Sequence, residues 1–285
     1  MEKNQPAYMR QRYLLDFIRQ LDSGAFATDI QKLVFLDSQT NSSAYYEFIP
    51  YKYGPYSFQL AEDIDTLCEK QFIVCDHSKY RSKEPLQLSL LCIPSERGDM
   101  LIRKVYEEYP YYAINSEIIK RLFPTSERIR FVNEKNNLKK QGIELFTIGY
   151  EGRSLEAFIN TLIQNDIRLL CDVRRNPLSR KFGFSKGKLQ HILGTIGIEY
   201  VHIPEVGIDS SKRTTLKSFE DYELLFSDYE ANIPMIKGDL DRIASLLYYH
   251  KRIALMCYEK EPRFCHRHII RDYIVQNYEV NCEDL

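Results

Sequence analysis

The sequence predicts an α/β protein in two parts: a C-terminal three-layer domain on a mainly parallel sheet, preceded by a mostly helical domain. Three observations predict it. From Leu145 onward, apolar runs of strand length alternate with segments whose apolar residues recur at helical spacing, the pattern of successive βαβ units. Before Phe123 the helical period dominates, and two short β-like runs come only late. Between these regions the chain turns polar and charged, with Glu134-Lys135-Asn136-Asn137 and Lys139-Lys140. The expected divisions are therefore a first domain over 1–123, a linker over 124–142 and an α/β domain over 143–285.

Composition sets the outer limits. With 285 residues, 44% hydrophobic and 28% charged, the chain has the make-up of a folded globular protein. No apolar run approaches the roughly 18 residues of a membrane helix, and Met1-Glu2-Lys3-Asn4-Gln5-Pro6 has no signal-peptide core, so a cytoplasmic protein without membrane contact is expected. Seven cysteines, an odd number without secretory features, read as thiols and not as a disulfide scaffold. A net charge of -1 rules out recognition of nucleic acid by bulk charge, leaving only local basic patches for that purpose.

In the first domain, Tyr13, Leu14, Phe17, Ile18 and Leu21 share one helical face, which ends at Ser23-Gly24. A second helix opens with Thr28 or Asp29 as N-cap and turns Ile30, Leu33, Val34 and Leu36 inward. Tyr45 to Ser57 is aromatic and extended, closed by a Gly-Pro turn. A third helix carries Leu60, Ile64, Leu67 and Cys68. Phe72 to Cys75 and Leu86 to Leu90 then read as two strands around a polar tip from His77 to Lys83. Three helices followed by a two-stranded hairpin is the order of a winged-helix-like module, which is either a small α+β packing domain or a surface for nucleic acid or a protein partner. Two further helices, broken near Pro110, fill Ser95 to Phe123.

The second domain opens with the strand Leu145 to Ile148, the turn Gly149-Tyr150-Glu151-Gly152, and a helix capped by Ser154 that bears Leu155, Phe158, Ile159 and Leu162. Ile167 to Val173 is a central strand, and Cys171 within it belongs to the core. A long loop, a helix around Leu189, Ile192 and Leu193, and the strand Glu199 to Ile203 follow. Two helices occupy Phe219 to Tyr249. The run from Ile253 to Met256 is the last strand, leading through a turn at Pro262 into a helix with Ile269, Ile270, Tyr273 and Ile274.

In an open α/β sheet, ligands bind beyond the carboxyl ends of the strands, which directs attention to three loops. The first contains Gly149 and Tyr150, where a glycine near a helix start lets backbone approach an anion. The second, Asp172-Val173-Arg174-Arg175-Asn176-Pro177-Leu178-Ser179-Arg180, concentrates cations and a Pro turn suited to phosphate, with Arg174, Arg175, Ser179 and Arg180 as the candidate contacts. The third holds Cys257, Glu259, Cys265, His266 and Arg267. Cys265 stands at a helix N-terminus beside His266 and Arg267, conditions that favour a thiolate or a bound anion. Asp172 and Glu259 are candidate acid/base groups, and Cys257, Cys265 and His266 complete the candidate catalytic set. The Cys-x7-Cys-His spacing matches no standard zinc arrangement, so neither a metal nor another cofactor is expected. The whole reading requires Arg174 and Cys265 to meet over one lip of the sheet.

These motifs, with Thr147-Ile148-Gly149-Tyr150, Gly197-Ile198-Glu199-Tyr200 and His202-Ile203-Pro204-Glu205-Val206-Gly207, resemble the family catalogued as domain of unknown function 488 over Leu145 to Tyr278. Val206 departs from the Leu expected before that glycine. The resemblance implies a shared pocket, in nucleic-acid metabolism or phage-defence settings, without implying a reaction. In the first domain, Lys32-Leu33-Val34-Phe35-Leu36 and Tyr51-Lys52-Tyr53-Gly54-Pro55-Tyr56-Ser57 resemble SocA-like antitoxins and related Panacea-type domains, which implies interaction or regulation.

The preferred expectation is an enzyme acting on a nucleotide or nucleic acid, with DNA the favoured polymer, by hydrolysis at a base or phosphate. A thiol enzyme of the sulfurtransferase kind is one alternative. A non-catalytic DNA-binding regulator or antitoxin-like partner is another.

Overall fold

The computed structural model describes residues 5–21, 24–40, 45–82, 93–213, 216 and 218–285. The chain divides into two compact units, Met1–Asn137 and Leu138–Leu285.

The first unit is mostly helical. Helices α1 (Met9–Arg19), α2 (Ala27–Thr40) and α3 (Phe58–Glu69) bring Leu14, Ile18, Leu33, Phe35, Leu60 and Leu67 into one core. Ser57 caps α3 by accepting a hydrogen bond from the Leu60 N–H at 3.2 Å. A short strand β1 (Ala25–Phe26) precedes α2, and β2 (Ile49–Tyr51) pairs with β3 (Gly54–Tyr56) before α3. The turn of that hairpin falls at Lys52 and Tyr53, and the Gly-Pro pair expected to form it lies inside β3.

Strands β4 (Ile73–Asp76) and β5 (Lys79–Ser82) form the next hairpin, and the sheet runs β1-β5-β4. His77 and Ser78 both adopt positive φ, 47° and 65°, a two-residue turn that starts the return strand at Lys79. The second strand therefore occupies what reads in sequence as the polar tip, because β5 alternates exposed Lys79 and Arg81 with half-buried Tyr80 and Ser82. Leu86 to Leu90 lies outside the described residues.

Helix α4 (Gly98–Glu108), a tight turn at Pro110–Ala113 and the short helix α5 (Ile119–Leu122) follow. Most of the segment expected as a linker over 124–142 is instead helix α6 (Thr125–Leu138). Phe131 is the one buried residue of α6 and joins the first core, so a helix with a single apolar anchor passed for unstructured chain.

The second unit is built on five parallel strands in the order β10-β6-β9-β7-β8, counting β6 (Glu144–Gly149), β7 (Leu169–Asp172), β8 (Glu199–His202), β9 (Arg252–Cys257) and β10 (Asn281–Asp284). Every residue of β7 and β9 is buried, as expected for strands covered on both faces. On one face Leu145, Cys171, Ile253 and Leu255 pack with Leu240, Ile243 and Leu247 of α10 (Ile233–His250) and Ile270 and Ile274 of α11 (Arg267–Tyr278). The alternate residues Phe146, Ile148, Leu170 and Met256 point to the other face, which leaves it to the buried sides of α7 (Leu155–Gln164) and α8 (Lys186–Thr195). Helix α9 (Phe219–Ala231) carries a satellite cluster of Leu225 and Phe226 with Ile208 and Ile269. The edge strand β10 is polar and has no counterpart in the sequence reading.

The chain leaves β7 toward β8 and leaves β9 toward β10, in opposite directions across the sheet. The crevice beyond the carboxyl ends of these two neighbours, Asp172 and Cys257, is thus the topological switch point of the fold. Among the described residues no helix is long and apolar enough to cross a membrane.

Candidate functional site

Above that switch point lies a cavity of about 350 Å³ lined by residues of all three loops: Tyr150 from the first; Arg174, Arg175, Ser179 and Arg180 from the second; Cys257, Glu259 and His266 from the third. Gly149, Asp172, Cys265 and Arg267 sit beneath it, buried. A wider groove of about 530 Å³ between α9 and the Pro262–Phe264 turn contains none of the expected residues.

The second loop starts from a buried ion pair. Asp172 is fully buried at the end of β7, and its Oδ1 accepts from the Arg174 backbone N at 3.1 Å and from Arg174 Nε at 2.8 Å. Its Oδ2 accepts from Arg174 Nη2 at 2.6 Å and from Tyr200 Oη at 2.5 Å. The remaining arm of Arg174 donates to Tyr150 Oη at 2.9 Å, and the Tyr150 ring stacks on Phe184 at 4.3 Å. A carboxyl group so saturated orients Arg174, and Arg174 in turn fixes Tyr150. The Arg174 charge expected to hold phosphate is therefore balanced from within.

Arg267 is likewise committed. It is fully buried, and its Nε, Nη1 and Nη2 donate to Thr147 Oγ1 at 3.2 Å, the Glu259 carbonyl at 2.5 Å and the Lys260 carbonyl at 2.9 Å. It braces the turn after β9 against β6. Arg175 and Arg180 stay exposed at the cavity, with Arg175 Nη1 donating to the Pro204 carbonyl at 3.2 Å.

Gly149 serves a different need from the one its sequence context suggests. A Cβ there would stand 1.8 Å from the Glu259 carbonyl oxygen, so the glycine admits a crossing backbone and not an anion. Gly207 has the same function against Arg175, where a Cβ would lie 2.2 Å from its backbone N.

The third loop gathers sulfur and imidazole. Cys257 ends β9, while Cys265 and His266 lead into α11, and their donor atoms all lie within 4.8 Å of one another. Arg213 Nη2 donates to His266 Nδ1 at 3.0 Å, and His266 Nε2 donates to the Val173 carbonyl at 3.0 Å. In this arrangement Nδ1 faces Arg213 and Cys265 while Nε2 faces the Val173 carbonyl. Burial opposes a thiolate at Cys265, but the hydrogen bond from Cys257, the adjoining His266 and the Arg267 charge outweigh it and hold that thiol well below the ordinary range. The same hydrogen bond, together with burial, pushes the Cys257 thiol up. Burial and the charge at Cys265 push the Glu259 carboxyl up to about 7, against the pull of Arg213. Glu259 Oε2 is buried and has no hydrogen-bond partner among the described residues.

Two contributors escaped the sequence reading. Arg213, in the tight turn Ser210–Arg213, pairs with Glu259 and with His266. His202 ends β8, and its Nε2 donates to the Arg174 carbonyl at 2.8 Å, holding the start of the arginine loop. The basic pair Lys212-Arg213 soon after the His202 to Gly207 motif was the available signal for the first.

Residues 154–274 match the family described as Domain of unknown function DUF488. No curated protein and no solved structure matches the chain.

Proposed function

We propose that the C-terminal unit is a hydrolase for a nucleotide, free or within a nucleic acid, that holds its substrate by phosphate and acts at a base or phosphate. The observation that carries the reading is the cationic lining of the switch-point cavity, where Arg175, Arg180 and Arg213 meet beside Glu259. At about 350 Å³ the cavity falls within the roughly 300–1,000 Å³ of small-molecule sites. Arg175 and Arg180 contact the phosphate, since their guanidinium groups reach solvent. Tyr258, 47% exposed at the same cavity, offers a ring face to a base. Glu259 handles the proton of the attacking water, and Asp172, Arg174 and Arg267 position the loops that carry these groups.

Titration calorimetry with nucleoside monophosphates and short single-stranded DNA, over a range of salt, tests the reading. Binding that weakens with salt and is lost in the Arg175→Ala/Arg180→Ala variant is expected. Salt-insensitive binding, or none to any of these ligands, overturns it.

The N-terminal unit supports a partner-docking role better than a DNA-reading one. Its element order and the β1-β5-β4 sheet agree with a winged-helix-like module. Its α3, the helix that would approach a duplex, exposes Glu62, Asp65 and Glu69, which repel phosphate. Hydrogen exchange of the full chain with DNA should protect the arginine loop and leave α3 unchanged. Protection of α3 would reverse this assignment.

A further inference from the structure

Building on the hydrolase reading, we infer that Cys257, Cys265 and His266 form a binding site for a zinc-class divalent ion, with its fourth position open to the cavity and to the attacking water. Two soft sulfur donors and one imidazole make a ligand set that selects zinc, and three protein ligands with an open position is the arrangement of catalytic zinc. The three donor atoms lie within 4.8 Å of one another, with Cys265 Sγ 3.9 Å from His266 Nδ1. Around a tetrahedral ion with metal–sulfur and metal–nitrogen bonds of about 2.3 and 2.0 Å, donors lie roughly 3.5–4 Å apart, so small side-chain movements close the set.

A second observation comes from behind the histidine. Its Nε2–H donates to the Val173 carbonyl at 3.0 Å, the bond by which metal-binding histidines are held in one tautomer and orientation. The Nδ1 lone pair is left on the side of Cys265, where Arg213 Nη2 now donates to it. Metal binding requires Arg213 Nη2 to give up Nδ1, whereas its pair with Glu259 is made through the other arm, Nη1.

The charges balance. Both sulfurs bind as thiolates, any thiol proton leaving for solvent as its metal–sulfur bond forms, and the dication is neutralised by the two thiolates. No oxidant or reductant takes part. Cys257, Glu259 and His266 line the cavity while Cys265 is fully buried, so the open position faces the cavity. That position stands beside Glu259, whose Oε2 is buried and has no hydrogen-bond partner among the described residues. Sequence spacing conceals the set because Cys257 comes from a strand end and the other two from a helix start.

The test is cobalt(II) titration of the reduced full-length chain without oxygen, followed by displacement with zinc. A thiolate-to-cobalt absorption band in the near ultraviolet, saturating at one ion per chain and abolished by zinc, is expected. Cys257→Ser and Cys265→Ser each lose the band, His266→Gln weakens cobalt binding by about a hundredfold or more, and Cys75→Ser, at an exposed position of β4 in the first unit, changes nothing. Because a cysteine variant can fail to fold, alkylation of the wild type followed by mass spectrometry is run alongside, with zinc expected to protect Cys257 and Cys265. Absence of the band from the reduced wild type, a band that survives both serine substitutions, or alkylation indifferent to zinc overturns the proposal. A Cys257–Cys265 disulfide persisting in the presence of zinc does so too. Nucleotide binding by the chelator-treated protein is read separately through Arg175 and Arg180, so loss of the hydrolase reading and loss of the metal site give different results.

Discussion

Asp172 and Arg174, two residues apart, form a bidentate pair with Nε on Oδ1 at 2.8 Å and Nη2 on Oδ2 at 2.6 Å, both side chains buried. A spacing of one intervening residue at a strand end lets a carboxylate clamp the guanidinium that follows it. The pair then serves as a rigid floor on which Tyr150 and Tyr200 are fixed.

Removing one partner of such a pair leaves a buried charge uncompensated. Arg174→Ala or Asp172→Ala should each lower stability by about 3–5 kcal/mol in urea denaturation. The double variant Asp172→Ala/Arg174→Ala should cost markedly less than the sum of the two single losses. Additive losses would mean that the two side chains act independently.

The exposed arginines should behave otherwise. With short single-stranded DNA, Arg175→Ala and Arg180→Ala should each flatten the salt dependence by about 0.7 in log–log slope, one phosphate contact apiece, with little effect on stability. Lys181→Ala should leave the slope unchanged, since its Nζ is spent on the Tyr150 carbonyl at 2.9 Å. A slope change at Lys181 would move the phosphate path to the other side of the loop.

How far sequence reached depended on where the deciding contacts lay along the chain. Strands β6, β7 and β9 were legible because burial on both faces demands continuous apolar runs. The α7 start was legible because Ser154 caps it locally, accepting from the Ala157 N–H at 2.9 Å. Helix α6 was not, since one buried Phe131 gives no period, and neither was β10, a polar edge strand held by pairing with β6. At the site, strand-end logic led to the three loops whose residues line the switch-point cavity. It could not distinguish arginines turned outward, Arg175 and Arg180, from those held by internal acceptors, Arg174 and Arg267. Nor could it find Arg213, whose partners lie 46 and 53 residues away.

Lys32 sets a pH dependence of stability in the first unit. Burial, only partly offset by Asp29, lowers its ammonium from 10.5 to about 7. The unfolded chain therefore binds more protons than the folded one between about pH 7 and about 10.5, and stability rises with pH across that window. Below it the lysine is charged in both states and the full penalty applies, on the order of 4–5 kcal/mol. Lys32→Met should raise the urea midpoint most near and below pH 7, with the gain fading toward pH 10.5. A gain independent of pH would attribute the effect to packing.

Gly149 and Gly238 should respond to alanine in opposite directions. At Gly149 the new Cβ would meet the Glu259 carbonyl oxygen at 1.8 Å and its carbon at 2.6 Å, backbone atoms that no side-chain rotation moves aside. The turn carrying Glu259 must shift, so Gly149→Ala should cost about 1–3 kcal/mol or more and weaken nucleotide binding as well. At Gly238, exposed within α10, a Cβ meets nothing within 4 Å, and Gly238→Ala should stabilise by about 1 kcal/mol without touching the site. Denaturation midpoints and nucleotide affinity measured on both variants separate the two causes. Loss of affinity with unchanged stability in Gly149→Ala would mean that the turn gives way easily and that its position, not its packing, is what the glycine protects.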